Sequence, residues 1–134
     1  MKKNMKRVML VDDDVNDNFF HEREIKKIAP GCSVIVKHTG REALDYLMSF
    51  KDNNTDPDAI FLDINMPGMN GWDFLKEYNK IDIKIQDRAV VIMLTTSENP
   101  DDETRARTFD LVADYIIKPL TREKMKDIIE KYFV

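Results

Sequence analysis

The feature that most constrains this chain is a rhythm of short apolar runs that do not alternate with polar residues. Val8-Met9-Leu10-Val11, Val34-Ile35-Val36, Ala59-Ile60-Phe61-Leu62, Ala89 to Leu94 and Tyr115-Ile116-Ile117 are mostly β-branched and short. A strand with one wet face alternates, whereas an unbroken apolar run reads as a strand buried on both faces, the mark of a parallel sheet. Helical segments lie between the runs. Val15 to Ala29 is stopped by Pro30-Gly31. Thr39-Gly40-Arg41-Glu42 has capping-box spacing, followed by Ala43, Leu44, Leu47 and Met48 at steps of three and four. Asn70 precedes a stripe of Phe74, Leu75, Tyr78 and Ile81, and Asn99-Pro100 sets proline at a first helical position. Thr121 precedes Met125, Ile128, Ile129 and Tyr132. The alternation predicts an α/β fold, a doubly wound (βα)5 open parallel sheet with helices on both faces.

Within that frame, strand two is expected to be the shortest and to lie at an edge, because it runs out in polar Lys37 and His38. Asp52 to Pro57 and Ile81 to Arg88 read as surface loops. The helix after Pro100 has mainly Ala106 and Phe109 to bury and is expected to be the loosest of the five. A chain of 134 residues with 43% hydrophobic and 34% charged types suits one globular domain spanning 1–134, with no second or output domain. One cysteine, Cys32, excludes an internal disulfide and a multi-cysteine zinc site. The longest apolar run is far short of a membrane span, and no signal peptide stands at the start. A net charge of −4 argues against direct nucleic-acid binding. A cytoplasmic protein without membrane insertion is the expectation.

Parallel sheets carry function beyond the carboxyl ends of their strands. There the sequence places Asp12-Asp13-Asp14 after strand one, Asp63 after strand three, Thr95-Thr96-Ser97 at the end of strand four and Lys118-Pro119 after strand five. A lone Asp after a strand is ordinarily a cap. Three adjacent acids with a fourth on another strand repel by a few kcal/mol per close pair, so a cation must compensate. Mg²⁺, a hard ion held by carboxylates and water, fits that donor set. His21 and His38 stand away from the strand ends and read as surface or helix residues. The loop Asp63-Ile64-Asn65-Met66-Pro67-Gly68-Met69-Asn70-Gly71 holds two of the four glycines: Pro67-Gly68 reads as a turn, and Gly71 as a point of close backbone approach or positive φ.

These residues resemble the receiver domain of two-component response regulators, over nearly the whole chain. Val11-Asp12-Asp13 is similar to that family's acidic pair, and Leu62 to Gly71 to its phosphoacceptor loop. Leu94-Thr95 is similar to its switch hydroxyl, and Tyr115-Ile116-Ile117-Lys118-Pro119 to its aromatic and lysine. The resemblance implies a flavodoxin-like sheet of strand order 2-1-3-4-5 and a stand-alone response regulator in a phosphorelay. Asp63 would accept a phosphoryl group from a histidine kinase or phosphotransfer protein. Asp13, Asp63 and the Asn65 carbonyl would hold Mg²⁺, with Asp12 helping through water. Lys118 and Thr95 would contact the phosphoryl oxygens, and Tyr115 would follow Thr95 as a switch. Asn65, Thr96 and Ser97 would set the lifetime of the phosphorylated form. Output would pass to a downstream protein target, through the face made by the helix after Pro100, strand five and the last helix, from a monomer or a phosphorylation-dependent dimer. The chain would be a switch and not a metabolic enzyme.

Departures from the pattern are Leu111, where the family often has glycine, Thr96, where it often has alanine, and Asp14, an extra acid that leaves Asp13-Asp14 open as the working pair. A dehalogenase-like phosphatase would share the aspartyl-phosphate chemistry, but needs a second Asp where Asn65 stands. A receiver-like binding module that is never phosphorylated is the other rival. No glycine-rich dinucleotide turn or P-loop is present.

Overall fold

A computed structural model of the chain describes residues 4–49, 56–81 and 89–134. The elements alternate as the apolar runs require: β1 (Arg7–Val11), α1 (Val15–Ile28), β2 (Ser33–Lys37), α2 (Gly40–Ser49), β3 (Ala59–Leu62), α3 (Gly71–Tyr78), β4 (Val90–Thr95), α4 (Pro100–Arg107), β5 (Val112–Ile117) and α5 (Arg122–Tyr132). All strand pairs are parallel, and their order is β2-β1-β3-β4-β5. The switch in winding direction falls between β1 and β3, which places a crevice beyond their carboxyl ends.

Successive side chains of a strand point to opposite faces, so each run feeds two cores. Met9, Val11, Ile60, Leu62, Val91 and Met93 pack with Leu44, Leu47, Phe74, Leu75 and Ala106, from α2, α3 and α4. Val8, Leu10, Phe61, Ile92 and Leu94 pack with Ile25, Met125 and Ile128, from α1 and α5. This two-sided demand is why the runs do not alternate. Each fully buried side chain such as Phe61 or Ile92 contributes about 1.5–3 kcal/mol of transfer free energy.

Some expectations shift. β2 is an edge strand, but β3, at 4 residues against 5, is the shorter. The apolar residues of β2 and β5 are only half-buried, and Ala113 is exposed, because each edge has a neighbour on one side alone. α1 ends at Ile28 with Ala29 as its cap. α3 stops at Tyr78, so Ile81 lies beyond it and packs on the core from the following loop. Ala106 alone is buried within α4; Phe109 follows the helix and stacks on Trp72, and the Arg105 guanidinium also lies over the Trp72 ring. The expected loops Asp52–Pro57 and Ile81–Arg88 fall largely outside the described residues.

Candidate functional site

Register builds the site. Val11 of β1 lies opposite Leu62 of β3, so the residues that follow, Asp12 and Asp63, emerge at one level, and the Asp63 amide donates to the Val11 carbonyl at 3.0 Å. Thr95 pairs with Ile117 at the ends of β4 and β5, and the Lys118 amide donates to the Thr95 carbonyl at 2.8 Å. Four strand ends therefore deliver acid, acid, hydroxyl and ammonium to the same end of the sheet.

Carboxylate oxygens of Asp12, Asp13 and Asp63 lie within 4.8 Å of one another, with Asp12 and Asp63 buried and Asp13 exposed. Each such pair repels by about 3 kcal/mol at an effective dielectric near 20. Lys118 is the local counter-charge. Its Nζ donates to Asp12 Oδ2 at 2.7 Å and to Asp17 Oδ2 at 2.8 Å, and stands 3.6 Å from Asp63 Oδ2. Burial disfavours the ammonium, but the hydrogen bonds to Asp12 and Asp17 and the charge of Asp63 outweigh it, so Lys118 holds its proton more tightly than an ordinary lysine. Asp63 goes the other way. Burial pushes its carboxyl up to about 6, against the opposing pull of Lys118; Asp12 adds to the rise, and the amides of Ile64 and Asn65 oppose it.

The donor set suits a hard divalent cation: three carboxylates, one of them open to water, and no sulfur or imidazole among the grouped ligands. Asp14, the extra acid, is the N-cap of α1 and accepts from the Asp17 amide at 3.0 Å; it stands outside the three-carboxylate group.

The loop after Asp63 is sharply built. Gly68 takes φ +73°, the left-handed turn conformation that the Pro67-Gly68 pair implies. Gly71 has room for no side chain, since a Cβ there would lie 2.6 Å from the Asp63 carbonyl oxygen. Asn65, two residues after Asp63, is exposed.

Thr95 is fully buried, and its Oγ1 accepts from the Ser97 amide at 3.3 Å. Thr96 is exposed. Ser97 turns its hydroxyl to Asp102 in the first turn of α4. Tyr115 donates its phenol O–H to the Ser97 carbonyl at 2.9 Å, tying β5 to the segment that follows Thr95.

Three residues on α1 escaped the reading from sequence. Asp17 bonds Lys118; Asn18 is buried and its Nδ2 donates to the Asp12 carbonyl at 2.9 Å. His21 is a helix residue, as expected, but it is buried and not at the surface, lining a narrow crevice with Asp12, Asn18, Phe61, Asp63 and Leu94. Burial lowers its proton affinity, and the Lys118 charge adds to the effect. The available signal was the spacing of Asn18, His21 and Ile25, three and four apart on one helix face. His38 is exposed.

Comparison with known proteins agrees with this architecture. Residues 8–130 match the family model of the response regulator receiver domain. The chain is 33% identical over 121 residues to hybrid signal transduction histidine kinase L of Dictyostelium discoideum, covering 88% of this chain but 7% of that protein. A two component response regulator from Cytophaga hutchinsonii superposes with a TM-score of 0.88 at 28% identity, covering 97% of this chain and 98% of that one. Response regulator protein TrrA from Thermotoga maritima, solved in complex with Mg²⁺-BeF, gives 0.74 at 26% identity, covering 96% and 100%.

Proposed function

Because the chain belongs to the response regulator receiver domain family, whose members are phosphorylated on aspartate in two-component signalling, we propose that it is a Mg²⁺-dependent switch with Asp63 as its phosphoacceptor. The observation that carries this reading is the position of the Asp63 carboxylate: buried, 3.6 Å from the Lys118 ammonium and grouped with Asp12 and Asp13. An Asp63 oxygen attacks the donor phosphorus, forming an O–P bond. The donor's bond to phosphorus breaks, and its electron pair leaves with the donor's acetate oxygen or imidazole nitrogen. Asp12, Asp13, Asp63 and the Asn65 carbonyl are the residues that would hold the metal, which offsets charge on the transferring group when bound. Lys118 supplies a second positive charge from the protein itself.

Once Asp63 carries the added charge, Thr95 exchanges its contact with the Ser97 amide for one with a phosphoryl oxygen. Tyr115, hydrogen-bonded to the Ser97 carbonyl, moves with that segment. Asn65, Thr96 and Ser97 flank the approach of hydrolytic water, and none of them is a strong base. The donor is a histidine kinase or phosphotransfer protein. The protein target docks on the α4-β5-α5 face, where a groove of about 300 Å³ is lined by Tyr115, Ile117, Lys124 and Ile128.

The test is intact-mass spectrometry of the protein incubated with Mg²⁺ and acetyl phosphate. The parent should gain one phosphoryl group, and Asp63→Asn none. A parent left unmodified by small donors and by kinases would favour the binding-module reading, and a modified Asp63→Asn would move the acceptor to another carboxylate.

A further inference from the structure

Three helices among the described residues begin with the same Asx-x-x-Asp spacing, at Asp14, Asn70 and Asn99, and α1 and α3 use it differently. At α3 the capping box closes both ways: the Asp73 amide donates to Asn70 Oδ1 at 2.9 Å, and Asp73 Oδ2 accepts from the Asn70 amide at 3.1 Å. At α1 only the first half forms, from the Asp17 amide to Asp14 Oδ1 at 3.0 Å. The Asp14 amide donates instead to Asp12 Oδ1, also at 3.0 Å. The Asp17 carboxylate is thereby released from its helix and bonds Lys118 Nζ at 2.8 Å, across 101 positions of sequence. Lys118 is left at hydrogen-bond distance from Asp12 and Asp17, and beyond it from Asp63, at 3.6 Å.

We infer that Asp17 is a positioning residue for phosphoryl acceptance: it holds the Lys118 ammonium on the α1 side of the crevice, in competition with Asp63, and so restrains the unphosphorylated state. This rests on the reading of Asp63 as phosphoacceptor. A lysine that is to meet oxygens on phosphorylated Asp63 must loosen one of its two short bonds. Asp12 is the harder to leave, being buried with its second oxygen already engaged by the Asp14 amide. The Asp17 side chain is 37% exposed, so water replaces Lys118 there at lower cost. Asp17 is thus the partner that yields, and the strength of its bond sets how readily Lys118 turns.

The experiment measures the rate of phosphorylation by acetyl phosphate, by intact mass, in the parent, Asp17→Asn, Asp17→Glu, Lys118→Ala and the double variant Asp17→Asn/Lys118→Ala. Asn keeps the backbone cap and removes only the charge. Asp17→Asn should react about three- to fivefold faster than the parent, the scale of a partly exposed ion pair. Asp17→Glu, which keeps the charge, should stay close to the parent. Long-range repulsion of the anionic donor is largely screened at 0.5 M salt, whereas the contact pair of Asp17 and Lys118 is weakened but not abolished, so the gain should shrink there and still persist. In the Lys118→Ala background the Asp17→Asn gain should vanish, because the effect runs through the lysine. A parent that reacts while Asp17→Asn matches its rate overturns the inference and leaves the phosphoacceptor reading intact. So does a gain that disappears in salt, or one that survives without Lys118. A parent that no donor phosphorylates overturns both.

Discussion

Replacing Asp63 by Asn removes a carboxylate that the metal-free fold holds against its own ionisation. Burial raises the Asp63 carboxyl from 3.8 to about 6, so the native state binds that proton more tightly than the unfolded chain does. The contribution favours folding below the unfolded value, fades as pH rises through about 6, and leaves an ionised carboxylate in the crevice at pH 7.5. At about 1.4 kcal/mol per tenfold change in proton affinity the ceiling is about 3 kcal/mol, and water at the mouth of the site reduces this to about 1–2 kcal/mol. Asn has nearly the same shape without the charge, and Lys118 keeps Asp12 and Asp17 as partners. Urea unfolding in chelator should therefore find Asp63→Asn more stable than the parent by about 1–2 kcal/mol at pH 7.5, with most of the difference gone by pH 4. Titrating groups that do not interact with Asp63 cancel in the comparison of variant with parent. A variant less stable than the parent at pH 7.5, or a difference independent of pH, would refute the reasoning.

Saturating Mg²⁺ should raise the thermal midpoint of the parent, by the equivalent of about 1.4 kcal/mol when its concentration is tenfold above the dissociation constant, and Asp13→Asn should lose most of the rise in a melt with and without chelator. Gly71→Ala drives a Cβ to within 2.6 Å of the Asp63 carbonyl oxygen, so denaturant melts should show a loss of about 1–3 kcal/mol, with slower phosphorylation as the loop shifts. Tyr115→Phe removes the O–H bond to the Ser97 carbonyl; it should cost about 0.5–1.5 kcal/mol in the same melts and weaken the response of α4 and β5 amides to phosphorylation in NMR spectra.

What the sequence determined by itself is local and periodic. Unbroken β-branched runs have one comfortable place, the inside of a parallel sheet, so the five strands and the acids at their ends were legible before any contact was known. Gly71 and the Pro67-Gly68 turn were legible for the same reason, because backbone geometry restricts which residues stand there. Tertiary structure decided what depends on distance across the chain. Only packing shows that β2 and β5 are half-wet, since an edge strand and a central strand carry similar residues. Only packing buries His21 and Asn18 beneath Asp12, on a helix face whose polar residues look like a solvated surface in sequence. The proton affinity of Asp63 and the choice of Lys118 for Asp12 and Asp17 over Asp63 arise where strands and a helix distant in sequence meet. Periodicity reports which face of an element is buried, whereas charge balance is set by fractions of an ångström between side chains that only the folded chain brings together.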